Sequence, residues 1–133
     1  MTRPEVPREE NIVRAVHYDW WDIQSDRKSS SIFKGENISV SRLYMLGLDK
    51  LFPIFHAQLD TSPNGVVVGA GEINVGLLKE IAENHEVSLY LTVEKAPLPE
   101  NSAHAVIPQK VSRGLAMSII RELVFHKDKD PNI

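Results

Sequence analysis

The run Val66-Val67-Val68 limits what this chain can become more than any other feature. Successive side chains of a strand point to opposite faces, and β-branched residues favour the extended backbone. Three consecutive valines therefore place apolar groups on both faces, which calls for a buried strand covered on both sides. The turn sequence Asp60-Thr61-Ser62-Pro63-Asn64-Gly65 precedes the run. Leu77, Leu78 and Ile81 follow on one helical face, and residues 87–93 alternate as a strand should. Pro97 and Pro99 open a loop, and Ala105-Val106-Ile107 forms another short strand. Val111, Leu115, Ile119 and Leu123 lie four apart, widened by Ala116 and Ile120, and define a final helix.

The first half is less regular. Residues 11–21 begin with an apolar β-branched stretch and end in Trp20-Trp21, reading as a first strand or extended entry. Residues 24–37 form a polar loop anchored by Ile32-Phe33, and Ile38-Ser39-Val40 a short strand. Leu43, Leu46, Leu51, Phe52 and Phe55 recur at helical spacing over residues 42–59, a segment that Pro53 is expected to kink or divide. The expected architecture is α/β, with α+β as the variant: a single compact domain over residues 11–126. It would have a small mixed sheet of about four to five strands carrying about three helices. Residues 1–10 read as a flexible arm and 127–133 as a charged tail.

At 133 residues the chain buries enough surface to fold without a metal or disulfide, and its 42% apolar content is that of a globular protein. It has no cysteine, which removes disulfides, thiolate metal sites and cysteine nucleophiles. There is no secretory pattern at the start and no membrane-length apolar run, so a cytoplasmic protein without membrane contact is expected. A net charge of −3 argues against nucleic acid as a partner. The basic residues Arg27, Lys28, Lys34, Lys110, Arg113 and Arg121 are too dispersed to make an obvious stripe.

Three constellations stand out. Val68-Gly69-Ala70-Gly71, with Glu94 further on, has the look of a dinucleotide-binding turn. The third glycine is missing, because Asn74 stands where it belongs. The alternative is a tight strand exit, with no cofactor. Next, the proline-stiffened loop delivers Asn101 and His104 to the start of a strand, with small neighbours around the imidazole. His104 there can act as acid, base or ligand, or can brace the loop. Finally, Arg14, His17, Trp20 and Trp21 lie close together ahead of the serine run at Ser30. Arg14 can clamp an anion or pair with Asp19, and adjacent tryptophans mark either core or a partner-binding surface. His56, His85 and His126 lack ligand spacing, so no metal site is expected.

Arg14 and His17, Ser30 and Phe33, Ser39-Val40, and Asn101 to Ala105 follow one another in an order that resembles a group of uncharacterised bacterial proteins. The resemblance spans residues 12–125 and implies no activity. It does suggest that the two halves meet, with Arg14, His17, Ser30, Phe33, Asn101 and His104 around one pocket; His17 and His104 would be its catalytic candidates. Two readings follow. One is a small accessory domain that works with a protein partner through Trp20 and Trp21. The other is an enzyme or sensor binding a nucleotide or small anion around His104 and Arg14.

Overall fold

The computed structural model describes residues 3–130. Its strands are β1 (Asn11–His17), β2 (Trp21–Asp22), β3 (Arg27–Lys28), β4 (Ile38–Arg42), β5 (Val67–Asn74), β6 (Glu94–Lys95), β7 (His104–Ile107) and β8 (Val124–Lys127). Its helices are α1 (Leu48–Leu59), α2 (Val75–Glu83) and α3 (Arg113–Glu122), with 3-10 turns at Tyr18–Trp20 and Ser30–Ile32. Six strands form one sheet in the order β6-β7-β4-β1-β5-β8, and β2 and β3 make a separate ribbon. Every ladder is antiparallel. The single α/β domain expected from the sequence is what is observed.

Val67 and Val68 of the valine run open β5, an inner strand of this sheet beside the edge strand β8, and are buried on both faces. Val68 joins Ile12, Val16, Ile38, Val40, Ala105 and Ile107 beneath Leu78, Ala82, Leu115 and Ile119 of α2 and α3. Val67 faces the other way, with Val13, Ala15 and Ala70, against Leu51 and Phe55 of α1. Each fully buried leucine or isoleucine stabilises the fold by roughly 1.5–3 kcal/mol, so the two layers together fix the sheet between them. Asn74 and Ser112 cap α2 and α3 by accepting from Leu77 N at 3.0 Å and Leu115 N at 3.2 Å.

Several expectations are corrected. Gly69 and Gly71 are neither a phosphate turn nor a strand exit, since β5 runs on through both to Asn74. A Cβ on Gly69 would stand 2.7 Å from the Trp21 ring and 2.6 Å from the His126 carbonyl. One on Gly71 would stand 2.9 Å from Leu123. These glycines are gaps in the strand's face that larger side chains fill. Pro53 does not divide α1, which is continuous through its second turn.

Residues 87–93 form no ladder strand, and burial alternates only over residues 89–93, with Leu91 and Val93 inside and Tyr90 outside, while Val87 is exposed. Their chain end pairs instead with the beginning of the protein. Val6 N donates to Val93 O at 2.7 Å, Lys95 N to Pro4 O at 2.8 Å, and Glu5 bridges Glu94. With Val6 only 1% exposed, residues 4–6 are not a loose arm. The first residue of the expected tail, Lys127, ends the edge strand β8, and Asp128 N donates to Val68 O at 2.9 Å. Residues 1–2 and 131–133 of the two terminal segments lie outside the described residues.

Candidate functional site

The two faces of the sheet differ in what the sequence puts on them. Toward α2 and α3 the central strands present Ile12, Val16, Ile38 and Val40, which fill the space. On the opposite face the alternate positions of β1 and β4 are Val13, Ala15, His17, Ser39 and Ser41, mostly small or polar. α1 covers only the β1–β5 side of that face, through Leu51 and Phe55. The β6–β7 hairpin rises on the far side, its tip closed by reciprocal Leu98–Asn101 backbone bonds of 3.0 Å. Between helix and hairpin lies a groove of about 590 Å³, lined by Val13, Arg14, Ala15, His17, Ser39, Val40, Ser41, Phe55, Gln58, Leu59, Leu98, Glu100, Asn101 and His104. That volume suits a small-molecule ligand.

Arg14 sits where the sheet opens. The β1–β4 ladder holds only Ile12↔Arg42 and Val13↔Ser41, although both strands continue beyond it. Arg14 fills the split, its Nε donating to Ile32 O at 2.9 Å and one terminal nitrogen to Ser39 O at 3.0 Å. Its guanidinium lies 5.4 Å from the centre of the Trp20 ring. None of the ion pairs among the described residues includes it, and Asp19, the partner considered from sequence, is exposed and not bonded to it. Desolvation alone pushes its pKa down to about 10. It therefore keeps its charge at neutral pH, a cation in the split between β1 and β4, among the residues lining the groove, without a carboxylate.

Both histidines singled out from the sequence line this groove. His17 Nδ1 lies 2.7 Å from Gly65 O and His104 Nδ1 2.8 Å from Ala96 O. A carbonyl only accepts, so each Nδ1 carries the hydrogen and each Nε2 is left without a protein partner. His17 is 5% exposed, its ring set edge-on to Trp20 at 4.6 Å. The two rings stand at opposite ends of the groove. His104 is level with Ser41, and Ser41 with Val13, four residues before His17. Two strand spacings across and four residues along put their Cα atoms on the order of 15 Å apart, too far to share one reacting bond.

Asn101, 2% exposed, positions the hairpin tip: its Nδ2 donates to Ser41 Oγ at 3.1 Å and its Oδ1 accepts from Ala103 N at 3.1 Å. The structure does not bring Ser30 or Phe33 to the groove. Phe33 is fully buried in the α2–α3 core, and Ser30 lies in the 3-10 turn whose Ile32 carbonyl receives Arg14. Trp21 is also core, 3% exposed, with its indole N–H donated to Asp26 at 3.0 Å; Trp20 is partly buried against the same core. Gln58, Ser41 and Glu100 were not singled out by sequence reasoning. The one available signal was the small polar face of Ser39-Val40-Ser41.

A larger cavity, about 1070 Å³, lies between α1, β8 and the β2–β3 ribbon. Two ion pairs lie within its lining, Lys28 with Asp26 and His56 with Asp128. His56 is held between Asp60, at 2.7 Å, and Asp128, while His126 Nε2 lies 2.7 Å from Glu72. Burial alone would lower the His56 pKa, but hydrogen bonds and charge from Asp128 and Asp60 outweigh it and raise the pKa. This is the arrangement of a structural clasp joining α1 to the end of β8. Among the described residues no cluster of three or more His, Asp or Glu could hold a metal, and no helix is long and apolar enough to cross a membrane.

No family of known proteins, no curated protein and no solved structure matches this chain.

Proposed function

We propose that this protein binds a small anion of nucleotide size in the groove between α1 and the β6–β7 hairpin, as a binding protein, sensor or enzyme. The observation that carries this reading is His17: nearly buried, its Nδ1 fixed by a carbonyl and its Nε2 unpartnered, beside the charge-unpaired Arg14. No buried side-chain nitrogen or oxygen among the described residues lacks a partner, so His17 Nε2 keeps access to the groove. The Arg14 charge is met by two carbonyls and the Trp20 ring but by no carboxylate, so an anion there gains a charge-assisted contact. The separation of the two imidazoles favours binding at two points over concerted acid–base catalysis by the pair. Arg14, His17, Ser39, Asn101 and His104, which also carry the resemblance to the bacterial group, lie together here. An accessory role through Trp20 and Trp21 has less support, because both indoles are engaged within the fold.

Thermal melting tests the reading. Inorganic phosphate, nucleotides and sugar phosphates are added in turn to wild type and to His17→Ala. A ligand at 100 times its Kd stabilises the native state by about 2.7 kcal/mol, and this gain should shrink in the variant. If none of these compounds moves the wild-type melting temperature and a protein co-purifies in stoichiometric amount, the accessory reading replaces this one.

A further inference from the structure

The groove is chemically asymmetric, and on the reading just given that asymmetry specifies its ligand. At one end are Arg14, a cation without a carboxylate, His17 Nε2 without a protein partner, and the exposed Ser39. At the other end are His104, whose Nε2 accepts when the ring is neutral, and Glu100, whose carboxylate accepts when ionised. The floor between is low because Ala15 and Ser41 are small, and Phe55, Leu59 and Leu98 make its walls apolar. We propose that the groove takes a phosphate monoester end-on, its phosphate against Arg14 and His17 and hydroxyl or amino donors of its body against His104 and Glu100.

Phosphate suits the first end better than carboxylate does. The second pKa of a phosphate monoester is about 6, so near neutral pH it can offer a proton to a neutral imidazole or receive one from a charged imidazole. An ionised carboxylate would face the lone pair of a neutral imidazole with no hydrogen between them. A flat or ring-shaped body fits the apolar walls, and the hydrogen-bond acceptors beyond it require donors on the ligand. A nucleoside 5′-monophosphate has this sequence of groups.

The test is imidazole and guanidinium NMR during titration with three probes: inorganic phosphate, adenosine and adenosine 5′-monophosphate. Phosphate is expected to shift the signals of His17 and Arg14 Nε, and adenosine that of His104. The monophosphate should shift all three and bind at least tenfold more tightly than phosphate. Ser39→Asp, a change at an exposed position, should weaken phosphate and monophosphate binding at least tenfold and leave the adenosine response intact. Arg14→Gln should act in the same direction, and the serine variant keeps the test decisive if that protein does not fold. If phosphate shifts His104 rather than His17, or the monophosphate binds no better than phosphate, the proposed orientation is wrong while the groove reading stands. If no probe shifts any groove residue at millimolar concentration, both fail.

Discussion

At the scale of single residues, missing atoms count as much as present ones. Gly69 and Gly71 lie mid-strand because Trp21 and Leu123 occupy the space a Cβ would take. Gly69→Ala is expected to lower stability by about 1–3 kcal/mol, since one of the obstructing groups is a backbone carbonyl that cannot rotate away. Denaturant unfolding measures this, and an unchanged midpoint would refute the packing account. His56 gives a prediction with a definite sign. Its pKa is raised by Asp128 and Asp60, so its contribution is complete below the ordinary histidine pKa and is lost as pH rises through the raised value. The melting temperature should therefore carry a component that falls as pH rises above about 6.5. Asp128→Asn should lower stability near pH 6 by about 1.5–3 kcal/mol and flatten that dependence. A variant with the wild-type slope would remove His56 as its source. The Arg42–Glu10 pair has the opposite sign: bonds of 2.9 and 2.6 Å hold the Glu10 pKa down, so its contribution fades as pH falls into the acid range.

At the scale of elements, some periodicities became the expected structures and others did not. α3 follows its four-residue stripe, with Leu115, Ala116, Ile119 and Ile120 buried. Its cap is local as well, and Ser112→Ala should cost about 1 kcal/mol in chemical denaturation. Pro53 was expected to kink or divide the segment 42–59; with Pro53 exposed and Leu51 and Phe55 packed, α1 is not divided. Pro53→Ala should therefore stabilise the protein by about 1–2 kcal/mol, by restoring a donor and helix propensity; a loss of stability would show that the proline serves packing. Residues 87–93 show why alternation is an incomplete guide. Alternation reports which side chains are buried, whereas a strand also needs a partner backbone. Here Thr92 N donates to the Gln109 side chain at 3.0 Å, and Val93 O accepts from Val6.

At the scale of the whole molecule, the chain's beginning covers one edge of the sheet. Residues 4–6 lie along β6, Lys79 reaches Glu5 at 2.7 Å, and Val6 is buried in the main core. Removing residues 1–7 should lower the melting temperature and expose that edge, with self-association visible by light scattering. A truncated protein as stable and monodisperse as the full chain would show that this segment is dispensable. The same architecture creates the groove, because α1 covers only part of a face whose remaining floor is built from small and polar residues.

The sequence by itself determined the buried inner strand at Val67 and Val68, the final helix and the anchoring of Ile32 and Phe33; it also singled out Arg14, His17, Ser30, Phe33, Asn101 and His104 as site candidates. Each of these follows from a residue's own chemistry or from spacing within a few turns of chain. Only the tertiary structure decided that β4 lies between β1 and β7, that Arg14 fills the split between β1 and β4, and that His17 and His104 occupy opposite ends of one groove while Phe33 and Trp21 belong to the core. Strand order and facing depend on which distant segments pair. That choice is set by the summed burial of both sheet faces, a quantity no local pattern contains.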